Sequence, residues 1–319
     1  MTKQEIDKKY GRQPANDLPL VRKCRMLQSW YRVEECHETE CGPWRMGEDC
    51  VGSTLLEGEK TRKNFITTCA FDYAQEKVRE KRTINSDLTL DEYRLFNNML
   101  SSQPMCFNLF ADLRAGIMAG NDDASDALRA MFSESQIGTI ERIEVEMMPQ
   151  PKSEFIGDKT AFDAAILFTG KDGRNGIAAI ETKYTDNLGS NRAKDETIKF
   201  KLSRELGLFT PAALRVFESE GFNQIARNFL LSVAYGRKFN RPNVISYVLS
   251  LDEDDEAKNV VEDLRKMLSP DFRECVRHLS LEDTICRGVT SNRSSEFAII
   301  LRKFEKRYLD FTPIRTLVE

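Results

Sequence analysis

The residues whose types and spacing best suit chemistry are Asp163, Glu181 and Lys183, in the stretch TAFDAAILFTGKDGRNGIAAIETKYTD that runs from Thr160 to Asp186. Thr160 to Phe168 is apolar or β-branched apart from Asp163. Lys171-Asp172-Gly173-Arg174-Asn175-Gly176 is turn chemistry, with glycine free to take positive φ. Ile177-Ala178-Ala179-Ile180 is a second apolar run, and it ends in Glu181-Thr182-Lys183. Runs apolar on both faces predict strands covered by helices on both sides. Charge at the end of such a strand is expensive unless it is paired or holds a ligand.

Side chains alternate along a strand, so Glu181 and Lys183 share one face and Thr182 takes the other. A hairpin brings Asp163 to the same spot. Two hard carboxylates plus a backbone carbonyl suit Mg²⁺, with Mn²⁺ as the alternative ion. An adjacent ammonium can orient a metal-bound water and hold developing negative charge. That layout fits hydrolysis of a phosphodiester. The competing reading is a structural ion pair. Glu-x-Lys also occurs as Glu256-Ala257-Lys258, but no apolar run precedes that copy, so it reads as solvated surface.

Asp163, followed by an apolar strand ending in Glu181-Thr182-Lys183, resembles the PD-(D/E)XK nuclease superfamily, the fold of many restriction endonucleases. Phe162 stands where the motif has proline. Ser101-Ser102-Gln103-Pro104-Met105-Cys106-Phe107-Asn108-Leu109-Phe110, the IETKYT from Ile180 to Thr185, and Asn223-Gln224-Ile225-Ala226-Arg227-Asn228 resemble one bacterial restriction-endonuclease-like family within it. The resemblance runs from about Trp30 to the Phe304–Leu309 segment. It implies an α/β restriction-endonuclease-like core, a mixed central sheet flanked by helices, with a helical N-terminal elaboration. The expected division is 1–60 for the elaboration and 61–319 for the nuclease-like domain. It further implies a Mg²⁺-dependent nuclease that binds nucleic acid, with DNA as the expected substrate and RNA as the alternative. Glu146 becomes the candidate third metal ligand, against the reading of an outward-facing strand glutamate. Gln224 joins Asp163, Glu181 and Lys183 as a catalytic candidate, and Arg227 and Asn228 become candidates for substrate binding. The alternative class is a nuclease fold that has lost catalysis and serves as a binding or interaction module. The intact Asp163, Glu181 and Lys183 argue against it. Whether the chain forms a homodimer stays open.

Composition narrows the chemistry. Two histidines in 319 residues nearly exclude His-rich metal sites and Ser-His-Asp hydrolysis. The net charge of −4 is not the footprint of a protein basic throughout, but phosphate binding needs only one basic face. Local basic clusters lie at Arg22 to Arg25, Lys60 to Lys63, Lys77 to Arg82 and Arg237-Lys238. The N-terminus MTKQEIDKKYGR has no apolar signal region and no stretch reaches membrane-span length, so a cytoplasmic protein without membrane contact is expected. Cys36, His37, Cys41 and Cys50 crowd together, but Cys36 to Cys41 is too wide for a tight zinc pair. Free thiols are expected for all eight cysteines.

The remaining elements follow from periodicity and caps. Residues 1–59 carry few helix or strand signals. Residues 64–82 read as a helix, and Thr89 with Glu92 as a capping box for a short one. Ser101-Ser102 put Pro104 at a first helical position, opening a helix to Met118. Gln103 and Asn108 in it read as a cap and a packed hydrogen bond. Asp122 to Phe132 is helical, and Ile140 to Met148 alternates as the first strand of a three-strand core. Asn191 to Leu206 reads as charged and helical or mobile. Thr210-Pro211 opens a helix, Phe222 to Gly236 is strongly amphipathic, Val244 to Leu249 is a buried strand, and Asp254 to Leu268 and Ser294 to Leu309 are helices.

Overall fold

The structure is a computed structural model that describes residues 1–318 apart from 46, 48, 134–135 and 187–196. The chain opens with helices α1 (Lys3–Tyr10) and α2 (Pro19–Glu34), then a small hairpin of β1 (Cys41–Pro43) and β2 (Cys50–Leu55). Helices α3 (Gly58–Thr61), α4 (Thr68–Thr83), α5 (Glu92–Phe96), α6 (Ser102–Met118) and α7 (Asp122–Met131) lead into the main sheet. Strands β3 (Ile137–Met147), β4 (Phe162–Gly170) and β5 (Asn175–Thr182) are followed by helices α8 (Thr197–Leu206), α9 (Pro211–Glu220) and α10 (Gln224–Lys238). Strand β6 (Asn243–Ser250), helix α11 (Asp255–Met267) and strand β7 (Val276–Ser280) precede α12 (Leu281–Ser291), α13 (Glu296–Tyr308) and α14 (Arg315–Val318).

The five strands of the main sheet lie in the order β3-β4-β5-β6-β7. The first three pair antiparallel, and β6 and β7 join parallel. A parallel neighbour needs a crossover, and helices supply it between β5 and β6 and between β6 and β7. The tight turn at 171–174 places Gly173 at φ +76, which glycine takes without strain. This is a mixed sheet flanked by helices, as the two-faced apolar runs require.

Period-two alternation divides the buried strands between two cores. Ala164, Ile166, Phe168, Ala178 and Ile180 face one cluster, which includes Phe107 and Phe110 of α6. Ala165, Leu167, Ile177 and Ala179 face the other, which includes Phe229 and Leu230 of α10. Truncating a ring such as Phe229 in this packing costs about 3–5 kcal/mol. The sheet is therefore a rigid plate, and residues at its strand ends inherit that rigidity.

The N-terminal segment is more regular than its weak local signals suggest. Residues 1–59 form two helices and a hairpin, a largely helical elaboration. The reason lies in what α2 buries: Arg25, Gln28, Ser29 and Arg32 are all inside. Arg32 donates Nε to Gly52 O at 2.8 Å and Nη2 to Tyr10 O at 2.9 Å. These polar groups are interleaved with buried Cys24, Met26 and Leu27, so no clean apolar period is left to read. Gln28 Nε2 donates to Arg307 O at 2.7 Å and to Tyr184 Oη at 3.2 Å. These bonds tie α2 to α13 and to the end of the central hairpin.

Smaller corrections concern helix starts. Asp91, not Thr89, caps α5 by accepting from Arg94 N. Ser101 caps α6 directly, so Pro104 is its third residue, still within the turn whose N–H groups lack helical partners. Strand β7 and helix α12 carried no recognised signal. The stretch 191–196 of the expected charged helix lies outside the described residues, and 197–206 is helical. All eight cysteines carry free thiols. Among the described residues no helix is long and apolar enough to cross a membrane.

Candidate active site

Asp163 stands near the start of β4 and Glu181 near the end of β5, and the register Ala164↔Ile180 brings them to the same edge of the sheet. Asp163 Oδ2 accepts from Thr182 N at 2.8 Å and Thr182 Oγ1 at 3.0 Å. Thr182, read from sequence only as the residue facing away, thus fixes the Asp163 carboxylate. Glu181 is 2% exposed. Its Oε1 lies 2.7 Å from Lys183 Nζ and accepts from Gln224 Nε2 at 2.6 Å. Its Oε2 accepts from Asn228 Nδ2. Gln224 and Asn228 sit four residues apart, on one face of the first turns of α10. Lys183 Nζ also reaches Gln224 Oε1 at 3.4 Å.

Glu146 is the residue whose surroundings differ most from its pattern. Along β3, Glu141 and Glu144 occupy the outer row, and alternation puts Glu146 with them. The backbone at Glu146 instead takes φ +49, a left-handed conformation rare outside glycine. Pairing skips it: Val145 faces Ala164 and Met147 faces Phe162. The reversal turns the side chain inward, where it is buried and within 3.4 Å of Gln103 Nε2. The outward-facing reading of Glu146 therefore does not hold.

Electrostatics reflect this convergence. Burial, then Asp163 and Glu181, push the Glu146 carboxyl up to about 8. Burial and Glu181 push Asp163 up to about 7, against Lys183 and the Thr182 hydrogen bonds. Burial works against the Lys183 ammonium, but Glu181 and Asp163 outweigh it and hold its pKa above the ordinary value. One ammonium thus faces more carboxylate than it can neutralise.

All these groups line one cleft of about 480 Å³. Its wall carries five carboxylates (Glu146, Asp158, Asp163, Glu181, Asp186) and four cations (Arg94, Lys159, Lys183, Arg227). Arg227 faces the cleft with Nη1 4.0 Å from Asp158 Oδ2, an oxygen that also pairs with the fully buried Lys199 at 3.0 Å. Gln103, expected to act as a cap, lines the cleft and accepts from Asp91 N at 3.2 Å. Asn108 is packed, as expected: it accepts from Ile66 N and donates to Asn64 O and Tyr308 Oη. Arg94, Asp158 and Asp186 carried no sequence signal beyond their charge.

The donor set fits a hard divalent cation. Its oxygens are carboxylates, their mutual repulsion is the kind a cation relieves, and the buried Asn228 Oδ1 has no hydrogen-bond partner. The set is not closed on one point, for among the described residues no three His, Cys, Asp or Glu are gathered closely enough to hold a metal. Lys183, Gln224 and Asn228 engage the oxygens of Glu181, so a metal ligand there exchanges partners.

A family model described as the PD-(D/E)XK nuclease superfamily matches residues 15–310. No curated protein and no solved structure matches the chain.

Proposed function

We propose that this chain, which belongs to the PD-(D/E)XK nuclease superfamily, is a metal-dependent nuclease that hydrolyses phosphodiester bonds in DNA. The observation that carries the reading is the convergence of Asp163, Glu181, Glu146 and Lys183 on one open cleft at the end of a rigid sheet. Asp163 and Glu181 hold Mg²⁺, or Mn²⁺, with Glu146 as a third carboxylate. The bound ion supplies Lewis-acid polarisation of the phosphate and a more acidic water. Lys183 orients the attacking water and holds negative charge as it develops on the phosphate. Gln224 keeps Glu181 and Lys183 in register by touching both. Asn228 fixes the second oxygen of Glu181. Arg227, on the same helix, contacts the substrate backbone.

The test is incubation of the purified protein with plasmid, linear single-stranded DNA and RNA, each with Mg²⁺, Mn²⁺ or EDTA. Cleavage of DNA that EDTA stops and Asp163→Ala abolishes is the expected result. Cleavage of RNA alone reassigns the substrate. Binding without cleavage under every condition overturns the enzymatic reading in favour of an inactive binding module.

A further inference from the structure

One ion pair in the cleft has no part in this chemistry. Arg94, on α5, donates Nη2 to Asp186 Oδ1 at 2.5 Å. The other oxygen of Asp186 accepts the peptide N–H of Ser102 at 3.2 Å. Asp186 lies three residues beyond Lys183, and the two side chains of the pair are about a quarter exposed, 28% and 25%. A pair that solvent reaches this easily contributes at most about 1 kcal/mol of stability. Stability therefore gives little reason for its place in the cleft.

The donors suggest another reason. A guanidinium fork together with a peptide N–H is a set that also takes phosphate oxygens. Building on the nuclease reading of this cleft, we propose that Arg94 contacts a backbone phosphate of the nucleic-acid substrate and that Asp186 stands in for that phosphate in the free protein. Binding exchanges one anion for another. Arg94 keeps an anionic partner in both states. The exchange leaves Asp186 held by the Ser102 N–H alone, so its carboxylate competes with the incoming phosphate for Arg94 and lowers affinity.

The experiment measures affinity for a fluorescein-labelled DNA duplex by anisotropy, in Ca²⁺, across a salt series, with melting temperatures recorded alongside. Arg94→Met should weaken binding by about tenfold and lower the salt slope by about one, as loss of one phosphate contact does. Asp186→Asn should tighten binding about threefold, the cost of opening a pair worth under 1 kcal/mol. In the Arg94→Met background that gain should vanish, because the two residues act through each other. If Arg94→Met melts early, Arg94→Lys decides instead: it should keep the salt slope and lose part of the affinity. A gain from Asp186→Asn that survives without Arg94 shows a general charge effect and overturns the proposal. So does weaker binding with a lower melting temperature in Asp186→Asn, which marks a structural clasp. Wild-type protein that cleaves DNA while Arg94→Met binds unchanged overturns the proposal alone. Wild-type protein that neither binds nor cleaves any nucleic acid overturns the nuclease reading and this proposal with it.

Discussion

Asp163 and Glu146 hold carboxyl groups in a fold that disfavours their charge, and that sets a pH dependence with a definite sign. Both folded pKa values lie above the ordinary carboxyl range, at about 7 and about 8. The folded state therefore binds these protons more tightly than the unfolded chain does. Stability from this source is present at low pH and is lost as pH rises through the folded values. In EDTA the melting temperature should fall from about pH 4 to about pH 8 and level off above that, and Glu146→Gln should flatten the fall. Mn²⁺ should reduce it too, by binding the charged form, and a melting curve indifferent to both pH and Mn²⁺ would count against the site. Calorimetric titration with Mn²⁺ should show binding that Asp163→Ala abolishes; equal binding by the mutant would move the site elsewhere. Lys183→Met keeps most of the stem's packing while removing the ammonium. Its cleavage rate should drop by about 10² to 10³, with Ca²⁺-dependent DNA affinity changed far less. Early melting with a parallel loss of activity would instead mark Lys183 as a structural partner of Glu181.

At the scale of elements, what the sequence made legible and what it hid divide along physical lines. Strands β4, β5 and β6 were legible because they are buried on both faces, and α10 because its apolar stripe leaves Gln224, Arg227 and Asn228 off it. Helix α2 was hidden because its buried side mixes Arg25, Gln28 and Arg32 with Cys24, Met26 and Leu27, which blurs the apolar period. Strand β3 was legible as a strand, but a side-chain period carries no information about a single left-handed residue, so the period alone left Glu146 on the outer row and only the family resemblance made it a ligand candidate. The pairing of Arg94 with Asp186 joins residues far apart in the chain, beyond the reach of local pattern. The kink at Glu146 yields its own prediction. A left-handed backbone costs a side-chain-bearing residue about 1–2 kcal/mol that glycine does not incur. Glu146→Gly should therefore be more stable than Glu146→Ala by about 1 kcal/mol in denaturant unfolding, although both lose the carboxylate. Equal stabilities would mean that the backbone relaxes out of the left-handed region once the carboxylate is gone.

Over the whole molecule, the site depends on segments at both ends of the chain. Tyr184, next to Lys183, donates to Tyr308 O at 3.2 Å and accepts from Gln28, which also donates to Arg307 O. A chain lacking residues 1–40 should consequently lose the cooperative melting transition of the main sheet as well as cleavage, which circular dichroism and a nuclease assay read together. A surviving transition at the full-length temperature would show that residues 41–319 hold together without α1 and α2. The same three bonds have a consequence in time. During synthesis the β3-β4-β5 meander can pair early, because its contacts are local. The anchor on Tyr184 must wait until α13 has been made and has docked against α2. A nascent chain can therefore carry Asp163, Glu181 and Lys183 in a formed hairpin while the segment holding the lysine is still loose. Cutting activity should switch on late, only once α13 has been made and has docked against α2.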